Sequence, residues 1–362
     1  MHFTIRSYYS IAKHICKGLH SKKHRSFLKK WYTVVGDSMK KIIIDENNHQ
    51  QRIDRFLKKY LPNAPSGFIY KLIRKKDIKV NGKRVNESFI IQTGDVLELF
   101  LYEDKFDEYS AVKTIYDLPQ NFDVVYEDQH ILIVNKPSGL LVHEDEFEKI
   151  NTLNNQVINY LYKKQEFDNN KESTFTPGPV HRIDRNTSGL VIFAKSYQAS
   201  KVLHEMMKKR NYIKKNYLCI VEGKLEKRRE LEGYVIKDEV AKIVRLAKKE
   251  EENALYMKTI YTPIIYNDKY SLLDVELVTG RTHQIRIHMA AIHHPLIGDK
   301  KYGNFELNKM MKEQYQLNYQ FLHAYKLTFT YTFGCLEYLK GKEFEIGLPK
   351  KLEKIKNSLF PS

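Results

Sequence analysis

Reactive side chains concentrate in His181-Arg182-Ile183-Asp184-Arg185-Asn186-Thr187-Ser188-Gly189. One carboxylate stands between two arginines, and a polar Asn-Thr-Ser-Gly run follows. Leu190-Val191-Ile192-Phe193-Ala194 then reads as a buried strand. A carboxylate on a turn against a strand, flanked by cations, stays ionised and rigidly held. A nucleophile or base working on a polyanion needs both properties. Taken alone, Arg-x-Asp-Arg is more often a surface ion pair, so other segments must decide.

Three segments place further chemistry beside strands. Lys215-Asn216-Tyr217 leads into one, Thr279-Gly280-Arg281-Thr282-His283-Gln284-Ile285-Arg286-Ile287-His288 follows another, and Leu322-His323-Ala324 lies near a third. By spacing alone, Tyr217 is an ordinary strand tyrosine and Arg286 a strand-surface arginine in an Arg-x-His alternation. His181, His283 and His288 invite a metal reading. They are expected on strands or turns beside arginines, with no Cys or carboxylate to complete a site. Phosphate contact or a buried hydrogen bond suits them better. Cys16, Cys219 and Cys335 are too scattered for a metal pattern or a disulfide framework. No metal and no cofactor are expected. Lys136 and Lys195 fit either a phosphate contact or a structural role.

The charge distribution locates the partner. The chain has 362 residues and a net charge of +17. Residues 1–39 hold eight Lys/Arg against Asp37, and residues 51–86 hold eleven against Asp54 and Asp77, so the remaining chain is nearly neutral. Such asymmetry points to a nucleic-acid-binding module ahead of the main body. No apolar run approaches the ~20 residues needed to cross a bilayer. A cytoplasmic monomer is expected, or an organellar one if residues 1–38 are a targeting segment. Those residues are also readable as an RNA-binding arm or as an upstream over-extension of the reading frame.

Ile53, Phe56, Leu57 and Tyr60 recur at helical spacing, with Arg52, Arg55, Lys58 and Lys59 opposite. Beyond Pro62 and Pro65, Phe68, Ile69, Leu72 and Ile73 mark a second helix that exposes Lys71, Arg74, Lys75 and Lys76. Asn81-Gly82 predicts a tight hairpin turn, and Val96–Phe100 a closing strand. This order resembles the S4 RNA-binding domain, whose basic helix face lies on phosphates without reading sequence. The expected organisation is a basic extension over 1–39, an S4-like α/β domain over 40–102, a linker over 103–120 and a catalytic domain over 121–355. In the main body, residues 151–164 and 198–211 read as helices. Strands outnumber helices and do not alternate with them, which argues for a mixed, largely antiparallel α+β fold.

Together the motifs resemble the RluA-type pseudouridine synthase family. The resemblance rests on His181–Gly189, Lys215-Asn216-Tyr217, Thr279–His288, Leu322-His323-Ala324, Lys136–His143 and His294-Pro295-Leu296-Ile297-Gly298-Asp299. It implies that family's fold, with a central cleft in the sheet. It also implies isomerisation of uridine in RNA, in the branch acting on large-subunit ribosomal RNA. By this resemblance Asp184 is the catalytic nucleophile, Tyr217 the active-site tyrosine and Arg286 the residue pairing with Asp184. The Arg286 fork could hold that carboxylate through two hydrogen bonds. Arg182 would fill the space left by a flipped base. Arg182, His181, Arg185, Thr187, Arg281 and His283 are expected at the substrate, and Arg52, Arg55, Lys71, Arg74, Lys75 and Lys76 on the RNA. Thr187 is expected to shape the Asp184 turn as well. A non-catalytic RNA-binding factor would have no physical reason to combine Asp184 with Tyr217 and Arg286. A base-releasing glycosylase would be identified by free uracil.

Overall fold

A computed structural model describes residues 39–110, 114–168, 175–238 and 243–361. Residues 1–38, read above as a basic extension, lie outside the described residues. Contacts divide the chain near residue 112 into two compact units.

In the smaller unit, strands β1 (Met39–Ile43), β2 (Gln51–Arg52), β3 (Ile78–Val80), β4 (Lys83–Arg84), β5 (Ile90–Ile91) and β6 (Val96–Phe100) surround helices α1 (Ile53–Tyr60) and α2 (Ser66–Lys75). One sheet runs β1-β6-β3-β4, and β2 pairs with β5. Ile53, Phe56 and Leu57 of α1 and Ile69, Leu72 and Ile73 of α2 are buried, as their spacing predicts. Asn81 and Gly82 both have positive φ, 51° and 73°, and turn β3 into β4. The stretch read as a linker from 103 opens instead with helix α3 (Glu103–Tyr109). Its Phe106 and Tyr109 rings lie 5.9 Å from Tyr60 and 4.8 Å from Phe68. Acidic residues around those two rings hide the apolar face in the sequence.

The larger unit is built on one sheet. Its strands are β7 (Asp123–Glu127), β8 (Ile131–Lys136), β9 (Gly178–Pro179), β10 (Ser188–Ala194), β11 (Ile213–Glu222), β12 (Arg229–Asp238), β13 (Ile243–Ala247), β14 (Leu255–Tyr266), β15 (Tyr270–Leu277), β16 (Leu322–Phe329) and β17 (Glu343–Glu345). The order is β13-β12-β14-β15-β11-β16-β10-β8-β7, with β17 on β16 and β9 on β10. Among the described strands only β10 and β16 pair in parallel. The mixed, largely antiparallel expectation holds. Helices α4 (Leu153–Lys163) and α5 (Tyr197–Lys208) are capped by Thr152 and Ser196. Leu132, Val134, Val191 and Phe193 pack with Leu153 and Val157, while Ile131, Ile133, Leu190 and Ile192 pack with Leu203 and Met206. Covered on both faces, β8 and β10 therefore read as continuous apolar runs.

One expectation fails here. The Gln284–His288 stretch, read as strand or turn, belongs to helix α6 (Gln284–Ala291). Residues Gln284 through Met289 are all buried, so the helix shows no polar stripe. Its Ile285-Arg286-Ile287-His288 alternation then imitates a strand. Helices α7 (Phe305–Tyr315) and α8 (Lys350–Leu359) cover Ile220, Leu272, Ile297 and Phe321. Among the described residues no helix is long and apolar enough to cross a membrane.

Candidate active site

The Asp184 turn is fixed from below. Gly189, the second residue of β10, has φ +117°, and a Cβ there would lie 2.1 Å from the Ala324 carbonyl oxygen. Only glycine lets β10 close onto β16 immediately after the turn. The Thr187 amide donates to the Asp184 carbonyl at 3.0 Å, the Gly139 amide to the Arg185 carbonyl at 2.9 Å, and the Ser138 hydroxyl to the Asn186 carbonyl at 2.8 Å. Lys136 is fully buried, and its ammonium donates to the carbonyls of Pro137, Leu140 and Arg185 at 2.8, 2.8 and 2.9 Å. Burial pushes this lysine down to about 7, against the opposing charge of Asp184. Lys136 is thus a strut, and so is Lys195, which pairs with Glu127 and Glu166.

A single arginine joins two carboxylates. Arg286 donates one hydrogen bond from its NH1 nitrogen to Asp184 Oδ2 at 3.0 Å. Its two-bond fork goes elsewhere, from Nε and NH2 to the Asp299 oxygens at 2.7 and 2.8 Å. The expectation of a fork on Asp184 is therefore corrected. Asp299 is fully buried and also accepts the amides of Lys301 and Tyr302 at 2.9 and 3.2 Å. Burial alone would raise the Asp299 carboxyl, but the Arg286 fork and charge outweigh it and hold it below the usual range. Burial likewise works against the Arg286 charge, and the two aspartates restore it. Asp299 received no role from the sequence. The Gly298-Asp299 pair was the available signal, and the contact it makes spans thirteen residues.

His283 adopts the left-handed conformation, φ 56°, at the N-terminus of α6. Its Nε2 lies 3.8 Å from Asp184 Oδ2, and its Nδ1 is 2.9 Å from the Tyr302 hydroxyl. Burial pushes its pKa down, and the Asp184 charge opposes that shift. Tyr217 projects from β11, beside a register shift at Asn216/Tyr217, and is buried. Burial and the Asp184 charge push its hydroxyl far above the usual range.

These groups meet at a cavity of about 120 Å³. An engineered cavity of about 150 Å³ accepts benzene, so the space suits one planar ring. Arg182, Asp184, Thr187, Tyr217, Arg281, His283 and Arg286 all line it, with Ile183, Leu277, Ile285 and Leu322 as apolar wall. Arg182 is exposed at this site, and Arg281 donates from Nε to the Tyr256 carbonyl at 3.0 Å. Thr187 is buried, with its hydroxyl accepting from Gln320, so it shapes the turn. Gln284, also given no role from the sequence, accepts from the Thr279 hydroxyl and the Arg281 amide, and donates to the Lys258 carbonyl.

Two expected substrate residues are not brought to the cavity wall. His181 Nε2 accepts the Ile192 amide at 3.1 Å, and burial pushes the ring down to about 3, which makes it a neutral structural acceptor. Arg185 pairs with Asp145 at 2.8 Å. His288 places Nδ1 2.8 Å from the Thr259 hydroxyl in the core. In the smaller unit Arg55, Lys71, Arg74, Lys75 and Lys76 are exposed and make no ion pair with described residues. Arg52 differs, because its fork holds Asp54 through two bonds of 3.1 Å. Burial raises the Asp54 carboxyl, but Arg52 and the Arg55 amide bring it below the usual range.

Known proteins resemble this chain in sequence and in fold. A family model described as RNA pseudouridylate synthase matches residues 130–291, and one described as S4 domain matches residues 51–97. A Mycoplasma capricolum protein named uncharacterized RNA pseudouridine synthase is 33% identical over 312 residues, covering 84% of this chain and 96% of that one. The ribosomal large subunit pseudouridine synthase C of Escherichia coli K12 is 32% identical over 329 residues, 89% of this chain and 98% of that one. Among solved structures, human RNA pseudouridylate synthase domain containing 4 shares the fold. Its TM-score is 0.51 at 20% identity, over 65% of this chain and 92% of that one.

Proposed function

The chain belongs to the RNA pseudouridine synthase family and carries an S4 domain, and we propose that it isomerises uridine in large-subunit ribosomal RNA, with Asp184 as the catalytic carboxylate. The observation that carries this reading is the Asp184–Arg286 contact of 3.0 Å at the edge of a ring-sized cavity walled by Tyr217. The choice of RNA is supported by the name of the Escherichia coli relative.

A base within a helix cannot reach such a cavity. The target uridine must be flipped out, at a cost of roughly a few kcal/mol. Arg182 stands exposed at the site and can stack its planar head where the base was. With uracil in the cavity, the N1–C1′ bond breaks, the ring turns, and a C5–C1′ bond forms. The C5 proton leaves and N1 gains one, so the atoms balance with no oxidant or reductant. Asp184 serves this exchange as nucleophile at C1′ or as base of an elimination, and both routes use the carboxylate that Arg286 holds. Tyr217 stays a neutral phenol because its hydroxyl is pushed so far up. It therefore packs against the ring and relays a proton with the phenol kept neutral, its oxygen taking up the proton from C5 as its own proton passes on towards N1. Exposed Arg55, Lys71, Arg74, Lys75 and Lys76 supply sequence-independent attraction to phosphates, in the cytoplasm where the ribosome is assembled.

The test is to map pseudouridines in ribosomal RNA from cells with and without the gene. Loss of pseudouridine at defined large-subunit positions, restored by the wild-type gene, is expected. An unchanged large-subunit map would overturn the substrate assignment.

A further inference from the structure

Asp184 stands in the wall of two cavities. The second has a volume of about 170 Å³ and shares Asp184, His283 and Arg286 with the first. Its chemistry is different. The first has Ile183, Leu277, Ile285 and Leu322 in its wall, whereas the second has no aliphatic side chain and is completed by Arg185, Asn186, Lys300, Asn318 and Tyr319, among others.

The second cavity is rigidly framed. Gly298 sits at φ +75°, where a Cβ would lie 2.3 Å from the Tyr319 carbonyl oxygen, so the Lys300 and Tyr319 loops are in tight contact. Asp299, next to Lys300, is locked to Arg286. Most polar groups here are already engaged. Arg185 pairs with Asp145, Asn318 donates to the Gln316 carbonyl, and Gln320 donates to Thr187. Lys300 is exposed, with Nζ 5.7 Å from the centre of the Tyr319 ring, and has no carboxylate partner among the described residues.

A nucleotide presents base, ribose and phosphate in fixed order. With its base in the apolar cavity and C1′ at Asp184, the ribose must straddle the shared wall. One flanking phosphate then leaves through the polar side. We propose that this second cavity is the sugar-phosphate subsite of the target uridine, with Lys300 binding a flanking phosphate and Tyr319 positioning Lys300. The inference rests on the pseudouridine synthase reading and adds a substrate-positioning residue to it.

The experiment uses the full chain and a synthetic RNA hairpin carrying the mapped uridine. Its partners are the same hairpin with an uncharged methylphosphonate on the 5′ or the 3′ side of that uridine. Turnover of the unmodified hairpin by wild type checks the parent reading first, so failure there is separate. Lys300→Ala should raise KM about tenfold with kcat nearly retained, as removal of one charge-assisted hydrogen bond implies. Methylphosphonate on one side should raise the wild-type KM by a similar factor, yet add nothing for Lys300→Ala. Lys300→Arg should restore both the KM and its sensitivity to methylphosphonate. A wild-type KM in Lys300→Ala, or penalties that multiply at both phosphates, would overturn the proposal.

Discussion

Replacing Asp299 by Asn probes the least legible part of the site. The side chain is fully buried and does not line the ring-sized cavity, yet it takes both prongs of the Arg286 fork. An Asn Oδ1 can keep the contacts of Asp299 Oδ1 with the Arg286 NH2 nitrogen and the Lys301 amide. Its Nδ2 would then face the Arg286 Nε, donor against donor, where Oδ2 now accepts at 2.7 Å. The change also removes a buried negative charge from a buried cation. Breaking such a pair costs about 3–5 kcal/mol, and the remaining Asp184 contact favours the lower end. With one prong of its fork lost, Arg286 fixes Asp184 less firmly, and an ångström of misplacement costs about a hundredfold in rate. The expected outcome is a kcat about a hundredfold lower with KM nearly unchanged, together with a lower urea midpoint. Tritium release from RNA labelled at uridine C5 follows the rate, because forming the C5–C1′ bond expels that hydrogen. A kcat within twofold of wild type would refute the reasoning.

Four further outcomes follow from the geometry. Tyr217→Phe keeps the ring but loses the hydroxyl, so kcat should fall by about a hundredfold with RNA affinity retained; an unchanged kcat in the same tritium assay would remove the proton-relay role. Gly189→Ala puts a Cβ 2.1 Å from the Ala324 oxygen and should cost more than about 3 kcal/mol, read from urea unfolding. Burial pushes His288 and His323 down to about 4 from the ordinary 6.5. Between those values the unfolded chain binds more protons, so stability should fall as pH drops, by up to about 1.4 kcal/mol per unit for each histidine; equal urea midpoints at pH 7 and pH 5 would contradict this. Changing Lys71, Arg74, Lys75 and Lys76 together to Ala should lower the log–log salt slope of RNA binding by about 3, at roughly 0.7–0.9 for each phosphate left unneutralised, and an unchanged slope would move RNA binding off this helix face.

Local patterns in the sequence were readable because local physics decides them. Asn81-Gly82 makes its own turn, α1 and α2 each bury one stripe, and the β10 run is apolar because both faces are covered. Asp184, Tyr217, Arg286 and Arg182 were marked by motif and do converge on one cavity. What stayed hidden is non-local or masked by burial. Helix α6 alternates like a strand because Gln284 through Met289 are buried on every side. His181 has the composition of a phosphate ligand, but its ring accepts a strand amide eleven residues away. Asp299 declares itself only once α6 and the loop after Leu296 are packed together, and Lys136 only when three carbonyls are seen around it.

The central claim is that Asp184 performs the chemistry and does not merely hold RNA. Its most direct test is a single-turnover measurement of pseudouridine formation by Asp184→Ala, paired with RNA affinity by filter binding. The side chain is 27% exposed and the turn is held by its backbone, so the variant should fold. No pseudouridine with a near-wild-type Kd is expected. Product formation at an undiminished rate would contradict the mechanism outright.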